Sequence, residues 1–309
     1  MVGSCNGFFR AFDKNSGKLA WVYDTKQDGA PLEFHGNPFV TSDLVIVGSD
    51  QRSPSGRAFI YAFERATGKL RWKYPAGSGT MSDILSDGSS IYAVTLADEL
   101  VCLDIVTGGE NWKYSSGVTN DDFLVTSSPA LSAGRVFFGG MDGAVAALDA
   151  KSGSVIWKRD LGVRVSTSVE ILNDSLYVGT IAGRLYRLAT STGAIISEYP
   201  LNTVPQGELV VTKDSVLVSL GSQSVICLHS NLKRLRWTKK AVKEWTTARP
   251  YLWRDAVLLA DHGNLFAFKL SDGSDVWAND FGDVVRGIGS DSDILYVGTL
   301  KGTLYAYRR

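Results

Sequence analysis

Gly143-Ala144-Val145-Ala146-Ala147-Leu148-Asp149-Ala150-Lys151-Ser152-Gly153-Ser154-Val155-Ile156-Trp157 decides the fold. Apolar, strand-forming residues run into a tight turn that closes on Gly153, and a second strand sets a tryptophan four residues beyond it. The pattern is centred on Trp21, Trp72, Trp112, Trp157, Trp237 and Trp277, and Ser197 stands in the tryptophan's place in one further copy. The steps between these positions are 51, 40, 45, 40, 40 and 40 residues. Four residues before each stands Gly17, Gly68, Gly108, Gly153, Gly193 or Gly273, with Lys233 the exception. A beat near 40 residues with turn signals inside it is a repeat architecture.

Each unit divides into four short strands, A to D. Around Trp157 they are predicted at 125–131, 135–140, 143–149 and 155–160. Strand B returns as Leu295-Tyr296-Val297-Gly298 and strand C as Gly302-Thr303-Leu304-Tyr305. No window carries a helical period. A lone sheet of this kind leaves both faces wet and radial stacking buries them, so the predicted class is an all-β propeller of four-stranded blades. Counting strands favours eight blades, the first and last incomplete. In the seven-blade alternative, residues 18–24 would complete the last blade. The whole of 1–309 then reads as one propeller domain. The two strands missing from the count, roughly 20 residues at ordinary strand and loop lengths, would precede Met1, so the chain is expected to begin inside a longer protein.

The 309 residues are 44% hydrophobic and 21% charged, a globular composition. With 32 basic and 32 acidic residues the net charge is zero, which leaves no electrostatic case for nucleic acid. No apolar run approaches a transmembrane segment, and no signal peptide is expected in the sequence as it stands. Val2-Gly3-Ser4-Cys5 looks like the end of a lipoprotein signal, but no apolar stretch precedes it and it aligns with Val178-Gly179-Thr180-Ile181 as an ordinary strand B. Cys102 and Cys227 fill the slot held elsewhere by Ala11, Ala62, Ala147, Ala267 and Ala306, which reads as core packing.

The run Gly-x-Leu-Tyr-Ala-x-Asp, a Thr/Ser-Gly turn and a tryptophan four residues later resemble the PQQ-like β-propeller repeat. That repeat is found in quinoprotein alcohol dehydrogenases, in BamB-like outer-membrane assembly lipoproteins and in sensor domains of bacterial kinases. The resemblance implies that the marker tryptophans dock between adjacent blades. It also implies a periplasmic, cell-envelope or extracellular setting. Quinoprotein chemistry would demand an adjacent cysteine pair under the cofactor, and Cys5, Cys102 and Cys227 are far apart in sequence. It would also demand a catalytic Asp with a calcium-binding Glu and Asn, a set that matches no motif here. No PQQ or other cofactor is therefore expected.

A site is sought where the repeat is broken. The D-to-A and B-to-C connections share one face, and the insertions at 25–33, 50–57 and 115–122 all fall there, the last with Asp121 and Asp122. Long loops gathered on one side of a rigid scaffold are where binding residues usually sit. The same face receives the starts of the A strands, where Asn37, Asp83, Ser128, Ser168, Glu208, Arg249 and Gly287 align, with His35 and Arg286 close by. His35, Asp83, Glu208, Arg249 and Arg286 are expected to line a polar central funnel. It would either bind a small polar ligand or a peptide, or simply balance its own charges. Trp245, beside Lys239, Lys240, Lys243 and Glu244, reads equally as an interface anchor or as a core substitute in a blade whose turn is broken by Lys233. No metal site is expected, since His35, His229 and His262 fall on different blades without tight ligand spacing.

No nucleophile–base arrangement stands out, so the favoured function is a non-catalytic scaffold that holds a protein or peptide partner on the long-loop face. The alternatives are a PQQ-dependent dehydrogenase-like enzyme and the ligand-sensing domain of a larger receptor or kinase.

Overall fold

The residues that recur in the sequence meet at the seams between neighbouring sheets. In the computed structural model, which describes residues 1–51, 53, 56–118, 127–221, 223–245, 249–291 and 293–308, the strands form eight antiparallel sheets. Blades 2 to 7 have four strands each in the meander A-B-C-D, and blades 1 and 8 have three. The one helical element among the described residues is a single 3-10 turn at Thr25–Asp28. The fold is an eight-bladed, all-β propeller. Seven blades would need residues 18–24 as the last strand of blade 8, but Leu19–Asp24 pairs within blade 1, with Phe8–Phe12. The expected strands around Trp157 are found at Ala130–Ser132, Arg135–Gly139, Ala144–Asp149 and Val155–Asp160; the first part of the A segment lies outside the described residues.

Contacts divide the chain into two compact units, Met1–Arg164 with blades 1 to 4 and Val165–Arg309 with blades 5 to 8. Within each, the core is a series of clusters straddling consecutive sheets. Phe9, Trp21, Val45 and Phe63 knit blades 1 and 2, and Leu217, Trp237, Val257 and Phe268 knit blades 6 and 7. The B and C strands are buried on both faces, hence their near-continuous apolar runs.

One seam shows what the repeat encodes. Trp72, on the D strand of blade 2, lies over the C-to-D turn of blade 3 and donates from Nε1 to the Ile105 carbonyl at 3.1 Å. Gly108 closes that turn at φ 71, and a Cβ there would stand 2.5 Å from the indole. Glycine is thus required twice, for the left-handed backbone and for the ring resting on it. Trp21 on Gly68, Trp112 on Gly153 and Trp237 on Gly273 repeat the arrangement, with indole bonds of 2.9, 3.0 and 2.9 Å to Arg65, Ala150 and Leu270 carbonyls. Across its own sheet each tryptophan faces the small slot: Ala11, Ala62, Cys102, Ala147, Cys227 and Ala267 are its cross-strand partners. Cys102 and Cys227 are buried there as expected.

The exceptions in the repeat belong to one seam. Ser197 replaces the tryptophan of blade 5, its cross-strand partner is Arg187 instead of a small residue, and the turn it meets in blade 6 is the one carrying Lys233. The Ser197 hydroxyl donates to the Asn231 carbonyl at 3.0 Å, in the manner of the indole. The left-handed position moves to Leu232 at φ 58, whose buried side chain joins the cluster of Tyr177, Leu185 and Leu209. A smaller group on the strand and a larger one on the turn exchange roles.

Candidate functional site

The first residues of the A strands link neighbouring blades. In the first unit the Asn37 backbone N–H and side-chain amide donate to Asp83 Oδ1 at 3.2 and 2.8 Å, and the Asp83 N–H donates to Ser128 Oγ at 3.0 Å. In the second unit Leu209 N–H donates to Ser168 Oγ at 2.9 Å, and Glu208 forms an ion pair with Arg249. Of the residues assigned to the funnel, Asp83, Glu208 and Arg249 are thus engaged in blade-to-blade links. Arg286 is exposed and has no ion pair among the described residues. His35 turns instead to Asp50, with Nδ1 2.8 Å from Oδ2. Asp121 and Asp122 lie outside the described residues.

The insertion at 25–33 is packed rather than open. Asp28, its side chain nearly buried, accepts from Tyr23 and Tyr61 hydroxyls at 3.0 and 2.9 Å and from Lys73 Nζ at 2.5 Å. Burial first, and the Asp28 carboxylate second, push both phenols far above their usual range. This loop closes the seam between blades 1 and 2.

In the second unit, the connection from blade 6 to blade 7 borders a groove of about 380 Å³. Its floor is carbon: Phe266 and Phe268 from strand C of blade 7, with Trp245 set edge-on to both at 6.3 and 6.4 Å between ring centroids. Val276 at its side and Val242 at its lip are 49% and 89% exposed. Lys239 crosses the wall, its ammonium 4.4 Å above the Phe268 ring and 2.9 Å from Asp275 Oδ1.

Trp245 is buried, at 8% exposure, so the reading of it as an exposed anchor is corrected: it is a core side chain of the blade 6–7 seam. Yet its Nε1 has no hydrogen-bond acceptor among the described residues. A buried indole N–H normally finds one. The loop that carries it is held by Asp261, whose Oδ2 accepts from the Val242 and Lys243 N–H groups at 2.7 and 2.9 Å and whose Oδ1 lies 3.0 Å from His262 Nδ1. Burial works against ionisation of this carboxyl, but the N–H groups and His262 outweigh it and hold the group below its usual range. Both carboxylates of the groove are therefore engaged, Asp261 by its loop and Asp275 by Lys239.

Trp245 was legible as an oddity in the sequence; the groove was not, because Phe266, Phe268 and Val276 look like ordinary repeat residues. Among the described residues no helix is long and apolar enough to cross a membrane.

A family model described as outer membrane protein assembly factor BamB matches residues 2–85 and 56–279. Outer membrane protein assembly factor BamB of Yersinia pestis is 22% identical, the match covering 98% of this chain and 80% of that protein. The protein of the same name from Shewanella oneidensis is 23% identical, over 85% and 70%. A crystal structure of BamB from Moraxella catarrhalis is similar with a TM-score of 0.81 at 20% identity, covering 99% of this chain and 92% of that one. The structural likeness, at that identity, speaks for the fold. The family model spans most of the chain, and with it the repeat, the seams and the blade number fall together: this chain belongs to the family of outer membrane protein assembly factor BamB.

Proposed function

We propose that the protein is a non-catalytic scaffold of the cell envelope that grips an extended segment of a partner protein in the blade 6–7 groove on its long-loop face, in the service of outer membrane protein assembly. The observation that carries this reading is the buried Trp245 N–H without an acceptor among the described residues, on the aromatic floor of a groove with Val242 and Val276 exposed beside it. A backbone carbonyl of an extended partner would satisfy the indole while its side chains cover the valines. No quinone or other organic cofactor is required. The relatives that match over most of this chain are named as outer membrane protein assembly factors, which supports the same class of role; a quinohemoprotein alcohol dehydrogenase matches over only 24% of it.

The test places a photo-crosslinking residue at Val242 in the native host. The expected outcome is one discrete adduct with a protein of the outer-membrane assembly machinery. The same residue at Lys213, exposed on the A-to-B turn at the other end of blade 6, should give none. Equal adducts from both positions, or none from Val242, would overturn the proposal.

A further inference from the structure

Three chemically different metal donors converge in the first unit. Cys5 lies in the B-to-C turn of blade 1, and Glu33 and His35 lie in the connection from blade 1 to blade 2. Leu32 and Phe34 point into the core at 2% and 6% exposure, so the alternation of extended backbone turns Glu33 and His35 to the same, outer side. The chain is fixed there by paired backbone bonds, Glu33 N–H to the Asp50 carbonyl at 3.0 Å and Asp50 N–H to the Glu33 carbonyl at 2.9 Å. His35 Nε2 stands 3.5 Å from Cys5 Sγ and 3.6 Å from Glu33 Oε2, and all three donor atoms lie within 4.8 Å of one another.

We infer that Cys5, Glu33 and His35 form a three-ligand site for a divalent metal of the zinc class. Tetrahedral zinc with sulfur at ~2.3 Å and nitrogen or oxygen at ~2.0–2.1 Å sets its ligand atoms about 3.4–3.6 Å apart, the spacing of the two closer pairs here. A second observation points the same way. Asp50, its side chain wholly buried, lies 2.8 Å from the other ring nitrogen of His35. A carboxylate can only accept, so a proton on Nδ1 bonds to Asp50, and it is Nε2, facing Cys5 and Glu33, that would offer its lone pair to a metal. This is the carboxylate–histidine support that metal-ligating imidazoles generally have. Thiolate, imidazole and carboxylate together favour zinc over calcium or magnesium. On binding, the Cys5 thiol proton passes to solvent, and the fourth position is left to water. The metal would fasten the first turn of the chain to the blade 1–2 connection. The sequence hid this site because Cys5 and His35 are 30 residues apart and no tight motif joins them.

Titration of the reduced full chain with Co²⁺ alone tests the site. One equivalent should bind with a thiolate-to-cobalt charge-transfer band and four-coordinate visible bands, and Zn²⁺ should displace it. Cys5→Ser should abolish the charge-transfer band, and His35→Gln should weaken binding at least about tenfold. Asp50→Asn should weaken it about 10–100-fold; should that buried change prevent folding, the two exposed-side variants decide alone. Absence of saturable Co²⁺ binding, or a spectrum unchanged by Cys5→Ser and His35→Gln, would overturn the inference.

Discussion

Trp72 and Trp245 are equally buried, at 8% exposure each, yet they do different work. Trp72 belongs to the repeat: its ring rests on Gly108 and its N–H is satisfied by Ile105. Trp245 stands outside the repeat: its ring rests on Phe266 and Phe268 and its N–H faces no acceptor among the described residues. The difference teaches that burial does not separate a structural aromatic from a recognition aromatic in this fold. What separates them is whether the polar handle is used up inside the chain. A seam tryptophan whose N–H bonds to the next blade holds the blades together; one whose N–H finds no acceptor among the described residues is, on the proposed function, available to a partner.

The largest expected effect lies at the seam. Trp72→Ala should cost about 3–5 kcal/mol of stability, measured by denaturant unfolding, because it removes the ring packed on Gly108 and the indole's bond to the Ile105 carbonyl. A loss below 1 kcal/mol would mean that the tryptophan does not hold the seam. A smaller effect sharpens the contrast within the repeat. Ser197→Ala removes the hydroxyl bond that stands in for the indole's and should cost about 0.5–1.5 kcal/mol, since Leu232 supplies the packing there and Tyr177 keeps its own bond to the Ser230 carbonyl across the same seam. Finding it as costly as Trp72→Ala would show that the hydrogen bond, not the ring, carries the seam.

The smallest effect concerns the groove's own loop and depends on pH. The Asp261 carboxyl titrates lower in the folded protein than in the unfolded chain. Its contribution is therefore complete above the ordinary carboxylate range and is lost as pH falls through the lowered folded value. Protection factors of the Val242 and Lys243 amides, normalised to the intrinsic exchange rate at each pH, should fall over that acid window while the Trp72 seam keeps its protection. Uniform protection down to the acid limit would show that Asp261 does not fix the loop.

The fold was legible because its determinants recur: a ring, a glycine four residues before it and a small residue across the strand are each visible as spacing. The meaning of the irregularities was not. Ser197, Arg187 and Lys233 are scattered in sequence, and only the seam shows that they replace one another's volume. Trp245 looked exposed because lysines surround it, but its neighbours in space are Phe266 and Phe268. Asp28 gave no signal, since a lone acid in an insertion does not announce two tyrosines converging on it. The same holds for Cys5, Glu33 and His35, brought together by a turn and a connection that sequence spacing does not relate.

The most direct test compares Trp72→Phe with Trp245→Phe, reading both the unfolding midpoint and the adduct yield from the crosslinking residue at position 242. Trp72→Phe leaves the buried Ile105 carbonyl without its donor and is predicted to lose about 1–3 kcal/mol, with the adduct yield of the folded protein intact. Trp245→Phe breaks no hydrogen bond among the described residues and is predicted to stay closer to the parent in stability while the adduct falls severalfold. An adduct that survives Trp245→Phe undiminished would contradict the division of labour between the two tryptophans.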